Sequence, residues 1–460
     1  MGLDPVILSR LQFGWVIAWH ILLPAFTVGI ASYIALMEGL YFIRGQEIYL
    51  RISLFWTRIF AIAFGMGVVS GVVMPFQFGT NWSRFSDATA NVLSPLLAYE
   101  SLMAFSLEAG FLGVLLFGRS LVPRWAHFCA ALMVAVGTLL SSFWILATNS
   151  WMQTPAGYRL VDGRFFPVDW MAIVFNPSFP YRLMHTVVGF YVTTGFVVMA
   201  VAAWLIRKGQ HAAEGRVMVT TTLSLLAVLV PLQIFLGDLH GLNTLKYQPA
   251  KLAAIEAHWT REARAPLILF AIPDQAKETN HATLEVPLLG SLILTHDVNG
   301  VVPGLKDYPA KDRAPVIVPF FAFRIMVGLG LVMLALVALG WLLRFTRRLF
   351  DSGWFLQLLM WSGPIGFLAV LAGWTTTEVG RQPWTVYGLM RTADSVTPSL
   401  STGDVIVSLL GYAAVYLIVY PVGLWFMLRA IKRGPVPIVV PVSGGRPAAP
   451  VKAPPGTVPP

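Results

Sequence analysis

Apolar residues do not alternate along this chain. They fall into runs of about 20, separated by short polar stretches, from near residue 12 to near residue 430. A run of that length, coiled as a helix, matches the roughly 30 Å hydrocarbon thickness of a bilayer. Inside lipid a spanning segment must satisfy its own backbone hydrogen bonds, so each run is expected to be a helix. Nine spans follow, at about 12–40, 53–75, 93–118, 125–147, 183–206, 217–237, 317–343, 354–376 and 404–430. The expected fold class is an all-α integral membrane protein with about nine transmembrane helices.

Composition agrees with the pattern. Of 460 residues, 57% are hydrophobic and 12% charged, about half the charged share of a soluble domain. That excludes reading the length as two or three soluble domains. The net charge of +10 does not point to nucleic acid, because the basic residues sit in short connections between apolar runs, where topology requires them. One set of connections, with the chain's end, holds Arg44, Arg51, Arg58, Arg119, Arg124, Arg207, Lys208, Arg216, Arg344, Arg347, Arg348, Arg429, Lys432, Arg433, Arg446 and Lys452, sixteen in all. The opposite short connections hold seven: Arg10, Arg84, Arg159, Arg164, Arg182, Arg381 and Arg391. The richer side is expected to be cytoplasmic, which puts the N-terminus outside and the C-terminus inside. The single cysteine, Cys129, allows no disulfide within the chain and no cysteine-based metal cluster. The first apolar run is too long for a signal peptide and lacks a small-residue cleavage site, so no cleaved leader is expected.

Four regions result. Residues 1–237 carry helices one to six, 238–316 form a long outer loop, 317–432 carry helices seven to nine, and 433–460 read as a disordered cytoplasmic tail rich in Pro, Val, Gly and Ala. The loop contains KYQPAKLAAIEAHWTREAR, which reads as a short amphipathic helix. A connection this long is usually functional. No internal repeat of 20–50 residues is evident.

Charged or ligating groups in spans are expensive and therefore functional candidates. They are His20, Glu100, Glu108, His185, Arg324 and Glu378, with the thioether Met326 beside them. His20 and His185 lie early in spans that start outside, Met326 in the outer third of the seventh, and Glu378 just past the outer end of the eighth. Four potential ligands from four helices thus share one depth, on the side of the long loop. Imidazole and thioether suit iron or copper rather than magnesium or calcium, and a His/Met pair is a familiar axial set for a low-spin haem, whereas a lone His or carboxylate leaves an iron position open. Each residue taken singly has a plainer reading: a hydrogen-bonded membrane histidine for His20 or His185, core packing for Met326, an ion pair with Arg381 for Glu378. Glu100 and Glu108, eight residues apart on one span, are offset by about 80° on a regular helix, so they read as a proton relay or as a structural pair of protonated acids.

Local sequence narrows these choices. GWTTTEVGRQPW (Gly373–Trp384) resembles the GWxxxExGRQPW signature of subunit I of cytochrome bd-type quinol oxidases. Six further stretches agree in order: SRLQFGWVIAWH (Ser9–His20), FQFGTNW (Phe76–Trp82), YESLMAFSLEAGFLG (Tyr99–Gly113), NSWMQTPAG (Asn149–Gly157), QPAKLAAIE (Gln248–Glu256) and FRIMVG (Phe323–Gly328). The resemblance spans about residues 8–432. Chain length and the fairly short outer loop resemble the family's short-loop, cyanide-insensitive branch. Pro75 stands where the family often has Glu before FQFG.

The resemblance implies a ubiquinol:oxygen (or other quinol:oxygen) oxidoreductase of the bacterial inner (plasma) membrane. It implies His185 and Met326 as axial ligands of a low-spin haem b. It also implies His20 and Glu378 as ligands of the two high-spin haems, one a haem b and the other a haem d or a third haem b, without saying which residue holds which. Trp374 is implied to lie between haems, Arg324, Arg381 and Arg10 to stabilise haem propionates, and Lys251 with Glu256 to form the quinol site. Protons are implied to come from the cytoplasm by way of Glu108 and Glu100 or through a partner subunit, so that charge is separated without a pump. Lys251 and Glu256, five residues apart, would differ by about 140° on a helix and need not share a face. The implied partners are a polytopic subunit II and a small single-helix subunit, with no nucleic acid. Two other classes are a secondary transporter, which the lack of inverted repeats disfavours, and a haem electron-transfer subunit that does not react with oxygen.

Overall fold

The computed structural model describes residues 4–435. Among these residues nine helices are long and apolar enough to cross a membrane. They are α1 (Pro5–Arg44), α2 (Glu47–Thr80), α3 (Ser83–Ser120), α4 (Arg124–Gln153), α5 (Phe179–Lys208), α6 (Ala212–Tyr247), α7 (Ile317–Phe345), α8 (Gly353–Val379) and α9 (Thr402–Arg433). The predicted all-α membrane fold is therefore found, and all nine spans with it. Each helix outruns its apolar run, because hydropathy marks only the hydrocarbon crossing while backbone hydrogen bonds carry the helix on through polar turns. Local chemistry sets the ends. Asp4 caps α1 by accepting the Val6 amide at 2.9 Å, with Pro5 in the first turn, where its missing N–H costs nothing. Gly45 closes α1 at φ 69°, and Ser401 with Asp404 forms a capping box on α9. Two helices are not regular. Glu100–Ala104 forms a π turn within α3, and α8 breaks between Trp361 and Ile365, where Pro364 has no amide to donate.

The 238–316 stretch is only partly a loop. Its first ten residues continue α6 to Tyr247. A helix at Pro249–Glu256 follows, then an antiparallel hairpin, Leu267–Asp274 with Thr279–Val286, and a helix at Leu289–Thr295. The expected amphipathic helix over 246–264 is corrected here: the 249–256 helix is buried from Ala250 through Glu256 and presents no wet face. It packs against Trp259, Leu305 and Phe320 rather than lying on a surface. The tail predicted at 433–460 lies, past Pro435, outside the described residues.

Core packing is unequal along the bundle. At the end away from the loop, α1, α2, α5, α6, α7 and α8 pack solidly around Trp56, Phe60, Phe196 and Phe355. The same end holds a buried Glu38 that accepts from Ser53 at 2.5 Å, pairs with Arg119 and lies 3.3 Å from His127. In the half nearer the loop the helices enclose a cavity instead.

Candidate functional site

That cavity has a volume of about 1990 Å³ and is lined from α1 through α8 and by the loop. A drug-sized ligand site occupies about 300–1,000 Å³, so there is room here for more than one large planar group. His20, His185, Met326 and Glu378 all line it, as do Glu100, Glu108, Trp374, Lys251, Glu256, Arg10 and Arg381.

His20 is held by a neighbour that sequence reasoning missed. Its Nδ1 lies 2.9 Å from the Ser70 hydroxyl, and that hydroxyl donates to the Gly67 carbonyl at 3.1 Å. When Ser70 donates to Gly67 it accepts from His20, and in that arrangement Nδ1 carries the imidazole hydrogen and Nε2 keeps a free lone pair. A metal-binding histidine needs that tautomer, fixed by an outer partner of this kind. His185 faces α6. The Gln233 amide nitrogen sits 3.3 Å from both ring nitrogens, and the His240 ring lies 5.7 Å away, centroid to centroid. Met326 reaches its place past Gly373, where a Cβ would come 2.7 Å from the Met326 sulfur. The signature glycine is thus the clearance for the thioether.

Glu378 accepts from the Asn149 amide at 3.0 Å and pairs with Arg381 at 2.5 Å. Asn149 in turn accepts from Arg182 at 2.6 Å. Arg182 and Asn149 were not singled out by sequence. Arg182 entered only the count of basic residues, and Asn149 only the NSWMQTPAG stretch.

The loop residues point in two directions, as the 140° offset allowed. The Lys251 ammonium donates to Gln153 at 3.0 Å and Gln248 at 3.3 Å. Burial first, and then the positive charge of Arg182, push it well below the ordinary lysine value, with Glu378 opposing and Arg381 adding to the fall. Glu256, 1% exposed, pairs with Arg324 at 2.9 Å. Arg324 also donates to the carbonyls of Ile255 and Ile268 at 2.7 and 2.6 Å. Its donors bind loop backbone and Glu256, so it clasps the loop to α7.

Glu108 packs against Gly137 of α4, where a Cβ would fall 2.6 Å from the Glu108 Cγ. Glu100 accepts from Ser141 at 2.8 Å on the same helix. The π turn between the two acids inserts one residue, so their eight-residue spacing acts as about seven and the angular offset shrinks from about 80° to about 20°. Both carboxylates therefore face the cavity. No sequence pattern announced that turn.

Among the described residues no three His, Cys, Asp or Glu converge on a single point. The donors are dispersed, one or two to a centre. An iron held by them needs its remaining ligands from a macrocycle, which haem supplies. Unpartnered nitrogens of the buried Arg182 and Arg381 suit haem carboxylates. The residues present fit haem.

Fold and site together define a polytopic membrane protein with a large chamber near one face, lined by dispersed imidazole, thioether and carboxylate side chains. Comparison with known proteins identifies it further. The model of the family described as cytochrome bd terminal oxidase subunit I matches residues 8–435, and the chain belongs to that family. It is 34% identical over 449 residues to the cytochrome bd ubiquinol oxidase subunit 1 of Bacillus subtilis (strain 168), covering 94% of each chain. It is 31% identical over 502 residues to the cytochrome bd-II ubiquinol oxidase subunit 1 of Escherichia coli (strain K12), covering 94% of this chain and 97% of that one. The solved bd oxidase from Geobacillus thermodenitrificans superposes with a TM-score of 0.88 at 31% identity, over 94% of this chain and 99% of that one. The protein is accordingly a multi-pass bacterial membrane protein and a subunit of a quinol:oxygen oxidoreductase.

Proposed function

We propose that this chain holds three haems in its chamber and oxidises quinol at the outer face of the membrane. The observation that carries the reading is the convergence of His20, His185, Met326 and Glu378, from four helices, on one cavity at the loop end of the bundle. His185 and Met326 hold the low-spin haem b. His20 and Glu378 hold the two high-spin haems, one a haem b and the other a haem d or a third haem b, with Trp374 between haems. Once bound, haem supplies the iron that carries electrons from quinol and binds oxygen.

The chain's own residues do the rest. Glu256, on the loop wall of the cavity beside Leu252 and Ile255, accepts a proton as quinol is oxidised, and Arg324 orients its carboxylate. Lys251 orients a quinol oxygen from the same helix. The surplus of basic residues at the opposite end puts the loop outside, so these protons leave outside. Glu108 and Glu100 carry protons from the cytoplasmic side towards the chamber, with Ser141 and Gly137 of α4 fixing their carboxyl groups. Charge is separated by where the two half-reactions lie, without pumping. A polytopic subunit II and a small single-helix subunit complete the assembly.

Two variants test the assignments. Met326→Leu should alter the low-spin haem spectrum and leave the high-spin bands, and Glu378→Ala should do the reverse. An unaltered spectrum in either variant of the assembled complex refutes that assignment.

A further inference from the structure

Four rings join α9 to α1. Trp15 and Trp19 stand one turn apart on α1, and Tyr416 and Tyr420 one turn apart on α9, so each pair shares a helix face. The four close into a cluster. Trp15 stacks on Tyr416 with 5.0 Å between centroids and 29° between planes, and Tyr420 lies 4.8 Å from Trp19. The remaining sides measure 5.3 Å from Tyr416 to Tyr420 and 6.5 Å from Trp15 to Trp19. At these separations each ring is in contact with two others. Packing alone would accept any large apolar ring, and the chain has 30 Phe against 16 Trp and 13 Tyr. Yet every member of this cluster is an electron-rich, oxidisable ring.

Placement ties the cluster to the candidate iron ligand on α1. Trp15 lines the chamber, whereas Trp19 lies 38% exposed on the flank of the bundle. Tyr416, 3% exposed, donates to the Ser70 carbonyl at 3.3 Å, and the Ser70 hydroxyl is the partner of His20 at 2.9 Å. One residue thus touches both the ring cluster and His20. Electron counting gives the cluster a task. Three haems release three electrons as their irons pass from ferrous to ferric, whereas reduction of oxygen to two waters takes four. Until the next quinol arrives the oxygen site is one electron short and holds a strong one-electron oxidant.

We propose that Trp15, backed by Trp19, is a one-electron reserve for oxygen reduction, lending an electron to the oxidant formed beside His20 and restored by the next quinol. The proposal rests on the reading of the cavity as a haem chamber. One electron leaves the indole ring and the oxidant gains it. The indole nitrogen keeps its hydrogen, so no bond breaks in the protein. The face of Tyr416 stacked on Trp15 stabilises the resulting cation, and Trp19 shares the charge. An electron from quinol then returns the ring to its starting state. The loan spares the haem and the other chamber side chains from oxidation.

The test is electron paramagnetic resonance of the purified complex, fully reduced, mixed with oxygen without further quinol and frozen within milliseconds. An organic radical should appear, and its lines should narrow when the complex carries tryptophan deuterated on the indole ring. Trp15→Phe should abolish that signal and raise the loss of haem during turnover at limiting quinol. Trp425→Phe, which removes an exposed ring further along α9, should leave both at the wild-type level. Trp15→Tyr, which keeps a large ring in place, should remove the deuterium-sensitive signal with the haem spectrum retained. Three results overturn the proposal and leave the haem reading intact: no organic radical in the wild type, a radical indifferent to indole deuteration, or a tryptophan radical that survives Trp15→Phe at wild-type yield, as one on Trp374 would. Absence of haem from the assembled wild-type complex would instead defeat the underlying reading.

Discussion

Ser70→Ala tests the site at a residue outside its set of ligands. Ser70 is 1% exposed, its hydroxyl donates to Gly67 and accepts from His20 Nδ1 at 2.9 Å. Alanine removes the acceptor and leaves a buried N–H unpaired, at a cost of about 1–3 kcal/mol. The ring can escape that cost by moving its hydrogen to Nε2, but it then loses the lone pair that a metal needs. Either way the iron site weakens, by about 10–100-fold on the scale of outer-partner mutations. That factor corresponds to about 1.4–2.7 kcal/mol, so the two estimates agree. The assay is haem content and the reduced-minus-oxidised spectrum of the purified complex. High-spin bands should diminish or shift while the low-spin bands stay. A complex with full haem content and unchanged high-spin bands would refute the claim that Ser70 fixes the ligating tautomer of His20.

Other consequences are as direct. Gly137→Ala forces a Cβ to within 2.6 Å of the Glu108 side chain; the overpacking costs about 1–3 kcal/mol and should slow turnover with the haem spectrum unchanged, as steady-state oxygen consumption beside a spectrum would reveal. Glu256→Gln removes a proton acceptor and its pair with Arg324, so kcat for quinol should fall; a variant with wild-type quinol kinetics would remove Glu256 from the site. The loop should loosen in acid. The Arg313 side chain holds Glu278 below its ordinary value, Arg261 does so for Asp307, and the Lys277 amide for Asp274. Carboxyls depressed in the folded state stabilise it above the unfolded value and lose that contribution as pH falls from about 4 through their lower folded values. Protection factors across 267–286, with intrinsic exchange divided out, should therefore fall at low pH, and equal protection factors at pH 7 and pH 3 would contradict this.

The nine spans were legible because a membrane helix writes itself as a run of about 20 apolar residues. The candidate ligands could be singled out because His20, His185 and Glu378 sit where polarity is costly. Met326, by contrast, became a candidate only from its depth beside them and its FRIMVG context. What could not be read were residues whose meaning depends on a tertiary partner. Ser70, Asn149 and Gln233 are ordinary polar residues until the fold sets them against His20, Glu378 and His185. Arg182 counted towards topology, yet the fold buries it in the chamber wall. The loop was misread in part because Lys251 and Glu256 among six apolar and small residues look amphipathic alone, whereas their neighbours bury the helix from Ala250 through Glu256. The π turn at Glu100–Ala104 lies within the predicted 93–118 span, and nothing in the hydropathy pattern marks it.

The central claim is that the chamber holds haem and brings oxygen to it. The most direct measurement is the reduced-minus-oxidised visible spectrum of the purified complex, recorded with and without carbon monoxide. The account predicts low-spin haem b bands that carbon monoxide leaves in place, together with high-spin bands that it shifts. A folded, fully assembled complex with no haem absorption, or with haem that never responds to carbon monoxide, would contradict it.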